Sequence, residues 1–373
     1  MHFHPYGLRA ITETISNEEI MFLKSEWNKY VSSIPHYPND RYKGKGIVYT
    51  AGGMSYVTCS WVAISTLRKK GCTLPIELWY SGNEISPEMC ALFETLDVAC
   101  KNFSNYIDKH VTGFIAKPLA ILHSSFKEVL FLDADNVCYE DPKLLFEDKN
   151  YLAKGALFWP DYWFISSDNP IWDVFDVSPD LLYEQESGQI LIDKEKCWEP
   201  LQLCIHLNQM GKFYYKMIYG DKDTFKFAWL ALKKEFHMID FFPSSCGRSP
   251  NKDIFYGNTM VHYGPDGELL FLHRNLLKWD ITHMGEHCWQ TLKCFKADSE
   301  RSEIVFLHDA NGLLSIDLQG DVESLEFREE YGKIEDLCLL SLMELRATNE
   351  FNAFITYSHF AKQRYSNGTL FSI

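Results

Sequence analysis

Residues 128–137, Glu-Val-Leu-Phe-Leu-Asp-Ala-Asp-Asn-Val, constrain this chain more than any other stretch. An apolar run of four, bounded by polar residues, predicts a fully buried strand. Asp133 and Asp135 then fall at or just past its carboxyl end, the edge at which open α/β sheets bind ligands. Two carboxylates so close repel each other unless a cation neutralises them. Oxygen ligands at an accessible strand end suit a hard divalent metal that keeps sites free for phosphate oxygens. Such an arrangement is expected where a metal holds the diphosphate of a sugar nucleotide, with Asp133, Ala134 and Asp135 all at the donor.

At 373 residues the chain can bury a large core, and its 46% hydrophobic and 23% charged residues are those of a globular protein. The net charge of −15 argues against a nucleic-acid or anionic-membrane partner, which would need a basic face. Eleven cysteines are scattered with no C-x-x-C pair, the pattern of reduced core thiols. The amino terminus lacks the basic and apolar regions of a signal peptide, and no stretch reaches the ~18 apolar residues of a membrane span. The expectation is a soluble chain, cytoplasmic, with the Golgi lumen as the alternative if an anchor has been removed.

Strand and helix signals alternate after residue 45. Residues 46–50 predict a strand, followed by a tight glycine turn and a helix through about Arg68; residues 76–80 predict a second strand, and 97–100 a short third. Residues 113–126 predict the helix before the aspartate strand. The pattern is that of a mostly parallel, Rossmann-like sheet. Strands are expected over 155–158 and 189–193, helices over 195–210 and 221–234, and a hairpin around the turn at 263–267. Beyond residue 290 a small β-hairpin (303–307 and 313–318) and a helix (333–346) are expected. The division is an N-terminal helical extension at 1–44 with a helix over 9–31, a catalytic α/β domain at 45–289, and a small C-terminal α+β appendage at 290–373.

Other segments carry candidate chemistry. His273, in F-L-H-R-N-L-L-K-W, is an acceptable third metal ligand, with His262 its competitor; Lys278 can neutralise a departing phosphate. Asp221 and Asp223, in Y-G-D-K-D-T-F, stand at a helix start, either as caps or as groups at the sugar. In Q-E-S-G-Q-I-L-I-D, small Ser187 and Gly188 permit close backbone approach, while Glu186 and Gln189 offer groups that orient a sugar. Gln189 joins Asp221 and Asp223 as a candidate catalytic residue. Thr50, Ala51 and Gly52 form a glycine turn without the G-x-G-x-x-G fingerprint, suited to nucleoside contacts. Lys117 is placed to reach base or phosphate. The aromatic stretch around Trp159, Trp163 and Trp172 suits either an acceptor cleft or core packing.

Taken in order, residues 117–135 with the following Glu-Asp-Pro, Gln185–Asp193, 219–225, and His273-Arg274-Asn275 with Lys278-Trp279 resemble the fungal-type α-mannosyltransferases of glycosyltransferase family 71. More distantly they resemble glycosyltransferase family 8. The resemblance covers roughly residues 45–285. It implies a GT-A fold, a mixed sheet flanked by helices; a divalent metal, Mn²⁺ or Mg²⁺; a nucleotide-activated hexose such as GDP-mannose; and retention of anomeric configuration. It implies Asp133, Asp135 and His273 as metal ligands, Lys278 as a phosphate contact, and Asp221, Asp223 and residues 186–189 at the sugar.

The expected function is metal-dependent transfer of a hexose, mannose from GDP-mannose first, to a glycan hydroxyl. Three rivals share parts of the pattern: a UDP-glucose or UDP-galactose transferase, a non-catalytic glycan-binding protein, and a haloacid-dehalogenase-type phosphatase, whose D-x-D-x-V the residues 133–137 also match.

Overall fold

The strand Glu128–Asp133 sets the layering of the molecule. Leu130 and Leu132 belong to one buried cluster, Val129 and Phe131 to another, as a two-residue period requires when both faces are covered. The computed structural model describes residues 1–179, 183–251, 253–309 and 312–366. Its central sheet runs His237–Met238, Ala156–Pro160, Gln185–Asp193, Glu128–Asp133, Lys45–Thr50, Ile76–Tyr80, Val98–Asn102. The last four strands are mutually parallel. Gln185–Asp193 enters antiparallel to both its neighbours, so the sheet is mixed rather than wholly Rossmann-like.

Helices cover both faces. Gly53–Lys69 and Ile334–Arg346 contribute to the cluster on the Leu130 face. Asn17–Val31, Ala116–His123, Trp198–Gln209 and Lys222–Ala231 contribute to the other. The arrangement is the helix-flanked α/β class expected from the sequence.

Chain order creates the cleft. From Lys45–Thr50 the chain adds Ile76–Tyr80 and Val98–Asn102 to one side, then returns to place Glu128–Asp133 on the other. Thr50 and Asp133 are register partners across that reversal. A reversal of strand order opens a crevice beyond the carboxyl ends, where ligands bind.

A second, antiparallel sheet is built on the strands Ser244–Asn251 and Ile254–Tyr263, with Thr291–Phe295, Ser302–His308, Leu314–Gly320 and Val322–Glu326 alongside. The expected hairpin is present: Ile254–Tyr263 pairs with Leu269–His273, which in turn pairs with Asn136–Cys138 directly after the aspartates. The tail hairpin and helix are present too, at Ser302–His308 with Leu314–Gly320 and at Ile334–Arg346. The strand Thr291–Phe295 hydrogen-bonds to Ser244–Asn251, so the tail shares a sheet with the segment before residue 264.

The amino-terminal helix begins at Asn17, later than its apolar pattern suggested, because Ser16 accepts from the Glu19 amide as its cap. Ahead of it Leu8–Ala10 is a strand, parallel to Phe164–Ile165. The eleven cysteines are free, and most are buried. Trp159, Trp163 and Trp172 are buried as well, at 0%, 5% and 3% exposure, which answers the aromatic stretch in favour of core packing. No helix among the described residues is long and apolar enough to cross a membrane.

Candidate functional site

A cavity of about 950 Å³ opens at the crevice, within the usual range for small-molecule sites. Thr50, Ala51, Gly52, Lys117, Asp133, Ala134, Asp135, Glu186, Ser187, Asp221, His273 and Lys278 all line it. Six separated stretches of sequence therefore meet around it.

Strand pairing brings the imidazole to the acids. His273 is the register partner of Asn136, and the Arg274 amide donates to the Asp135 carbonyl at 2.9 Å. His273 Nε2 then lies 3.2 Å from Asp135 Oδ1 and 3.8 Å from Asp133 Oδ2. Its Nδ1 is 3.5 Å from Glu186 Oε1. Lys278 is ion-paired with the other oxygen of Asp135. His262 does not line the cavity; it is 1% exposed and neither ring nitrogen has a hydrogen-bond partner.

Gly188 is required by this geometry. A Cβ there would stand 2.5 Å from His273 Nδ1 and 3.0 Å from Glu186 Oε1, while its own amide donates to that carboxylate at 2.7 Å. Gly52 is confined in the same way, by the Glu84 carboxylate 2.3 Å from where its Cβ would be.

Lys117 ties Asp133 to Ser187 and Asp221. It is 8% exposed, with Nζ 3.1 Å from Asp133 Oδ1, 3.2 Å from Asp221 Oδ2, and donating to both the carbonyl and Oγ of Ser187 at 2.7 Å. Removing a partner from so buried a pair costs about 3–5 kcal/mol.

The charges shift one another. Burial works against the charged form of Asp135, yet His273 and Lys278 outweigh it and hold the carboxyl well below the usual range. Burial keeps Asp133 above its ordinary value despite Lys117 and His273. Burial opposes the imidazolium of His273, but Asp135 and Glu186 raise it to about 10.

Asp133, Glu186 and His273 present ligand atoms that all lie within 4.8 Å of one another. Two carboxylates and an imidazole form a donor set that a divalent transition-metal ion such as Mn²⁺ accepts. His273 Nδ1 is buried without a hydrogen bond, which leaves a lone pair or proton to be satisfied. The residues present fit a divalent ion. Glu186, expected beside the sugar, is thus as close to the imidazole as the aspartates are.

Two expected sugar-side residues stand behind the wall. Gln189 is fully buried and its Oε1 accepts from Asn136. Asp223 is fully buried and accepts from the Gln185 amide at 3.1 Å. Neither lines the cavity: Gln189 lies further along its strand, as the register partner of Leu132, and the turn of the helix carries Asp223 away from Asp221. Sequence reading passed over Lys222, Tyr219, Tyr56 and Glu84, which do line it. Tyr219 and Lys222 belong to the segment 219–225, where the two aspartates drew the attention; Tyr56 and Glu84 carry no local signal.

An α/β chain with a cleft of acids, imidazole and lysines at the carboxyl ends of its parallel strands defines the class. The family model Mannosyl_trans3, described as "Mannosyltransferase putative", matches residues 44–180 and 166–264. The chain belongs to this mannosyltransferase family.

Alpha-1,2-mannosyltransferase MNN21 of Candida albicans is 29% identical over 322 residues, covering 69% of this chain and 48% of that protein. Alpha-1,2-mannosyltransferase MNN2 of Saccharomyces cerevisiae is 27% identical over 265 residues, covering 57% and 44%. The chain spans about half the length of the curated relatives it matches. Among solved structures, the galactosyltransferase LgtC with donor and acceptor sugar analogs aligns at a TM-score of 0.38 with 15% identity, over 52% of this chain and 73% of that one. The glycosyltransferase GlyE of Streptococcus pneumoniae TIGR4 aligns at 0.36 with 16% identity, over 53% and 46%.

Proposed function

We propose that this chain is a GT-A-type, metal-dependent retaining transferase that moves mannose from GDP-mannose to a hydroxyl of a mannose-containing glycan. The observation that carries the reading is the convergence of Asp133, Asp135, Glu186, His273, Lys117 and Lys278 on one cavity in a member of a mannosyltransferase family. The two fungal relatives, named alpha-1,2-mannosyltransferases, support an α-1,2 linkage.

In this reading Asp133, Glu186 and His273 hold the metal, with Asp135 beside them. Bound there, a divalent ion supplies Lewis-acid stabilisation of the diphosphate. Lys278 and Lys117 add fixed positive charge where the leaving group gains negative charge, preorganised before the reaction begins. The nucleoside lies along Thr50, Ala51 and Gly52. Asp221, on the cavity wall, is the carboxylate at the sugar. Asp223 and Gln189, one layer behind, hold the segments that carry Asp221 and Glu186.

The test is incubation with Mn²⁺ and a panel of GDP-mannose, UDP-glucose and UDP-galactose, reading nucleotide release with and without a mannose oligosaccharide. GDP release stimulated by acceptor and abolished by chelation is expected. Turnover of a UDP sugar alone would replace the donor. Hydrolysis of an aryl phosphate without sugar-nucleotide turnover would overturn the reading in favour of a phosphatase.

A further inference from the structure

Behind the wall that carries Glu186 and Asp221 lies a buried set of charges. Arg9, Glu184, Asp223 and Lys226 are 0% exposed, Asp161 5% and Lys222 7%. Arg9 Nε is ion-paired with Glu184; its Nη2 is 3.9 Å from Asp223 Oδ2, and its Nη1 donates to the Met217 carbonyl at 3.3 Å. Lys222 Nζ takes the other Glu184 oxygen at 2.6 Å and pairs with Asp161. Lys226 Nζ is 4.0 Å from Asp223 Oδ1.

Three acids thus face three bases, and the set is neutral only with Arg9 in place. Its members are joined to the site through the chain. Glu184 stands two residues before Glu186, and Lys222 directly follows Asp221 while itself lining the cavity. Arg9 comes from elsewhere, on the strand Leu8–Ala10, ahead of the residues matched by the family model. That strand is fastened by pairing of Leu8 with Phe164 and Arg9 with Ile165. An unbalanced buried charge is costly. Lys222, at the edge of the cavity, is the member with room to move in response.

We infer that Arg9 is a positioning residue: through Glu184 and Lys222 it holds Glu186 and Asp221 in the cavity wall, so the N-terminal strand is a working part of the donor site. The inference rests on the sugar-transfer reading, and its test therefore includes a measurement that needs no turnover.

In the full chain, Arg9→Met lowers kcat by about a hundredfold, the scale of an ångström-sized misplacement of reacting groups, while the donor KM changes far less. Arg9→Met/Glu184→Gln removes one base with one acid and recovers about tenfold or more of that loss, as coupled charges do in a double-mutant cycle. Deuterium exchange rises in peptides covering 184–189 and 219–226 of Arg9→Met and stays unchanged in 76–80. Wild-type kcat in Arg9→Met, a double variant that loses the product of the single losses, or unaltered exchange in those two peptides overturns the inference. If Arg9→Met does not fold, the double variant decides: folded and active supports the charge balance, folded and inactive refutes it. If the parent chain turns over no nucleotide sugar, the transfer reading fails and the exchange pattern alone judges Arg9.

Discussion

Lys278 and Asp135 stand 143 residues apart in the chain and form an ion pair in the cavity wall. The pair exists because Leu269–His273 adds to Asn136–Cys138 as a neighbouring strand, which returns the chain past the aspartates just before Lys278. Lys278→Met is expected to reduce kcat by about 100-fold or more, the scale of losing one fixed charge from a leaving-group site. Steady-state kinetics with the accepted donor check this; a raised KM with unchanged kcat would reduce Lys278 to a ground-state contact.

Gly188→Ala tests the packing of the imidazole. The added methyl meets His273 Nδ1 at 2.5 Å, so the ring must turn or the strand must shift. Displaced ligands typically weaken metal binding by about 10- to 100-fold. A Mn²⁺ titration followed by calorimetry is expected to show that loss while the circular dichroism spectrum stays native. Undiminished affinity would remove His273 from the ligand set.

The tail helix Ile334–Arg346 supports the loop that holds Lys278. Arg346 donates to the carbonyls of Thr282 and Asp280 at 2.9 Å each, and Trp61 Nε1 fastens the helix by donating to the Ser341 carbonyl at 3.1 Å. Arg346→Ala is expected to cost about 2–3 kcal/mol, since hydrogen bonds from a charged donor are worth more than neutral ones, and to lower turnover with Mn²⁺ affinity retained. Thermal unfolding and kinetics together check it. Arg346→Lys rescues little, because an ammonium cannot span two carbonyls as a planar guanidinium does.

His262 sets part of the acid stability. Burial lowers its pKa to about 3, against about 6.5 in an unfolded chain. Between those values the unfolded chain binds a proton that the fold refuses, so stability falls as pH drops from about 6.5 toward about 3, by up to a few kcal/mol. Above about 6.5 the residue has no such effect. His262→Leu is expected to flatten that limb in denaturant titrations from pH 7 to pH 4. An unchanged slope would mean that His262 is protonated in the fold.

Much of the fold was legible because its causes are local. Apolar runs announced the strands ending at Thr50, Tyr80 and Asp133, and the tail hairpin and its helix were recognisable from period and turn residues. The strands Thr291–Phe295 and Val322–Glu326 were not, since their short, half-polar sequences become strands only by pairing with each other and with Ser244–Asn251. At the site, Asp133, Asp135, His273, Lys278 and Lys117 were readable as chemistry. The inward turn of Gln189 and Asp223, the proximity of Glu186 to the imidazole, and Lys222 were not.

Sequence by itself determined the parallel strands of the central sheet and most of the helices, that acids stand at a strand's carboxyl end, and that an imidazole and a lysine lie in one downstream segment. Tertiary structure alone decided that His273 rather than His262 reaches those acids, and that Arg9 balances Glu184 and Asp223. Period and capping act between near neighbours in the chain and leave their mark in its letters. Charge pairing across a sheet depends on strand order and register, which follow from how the whole core packs.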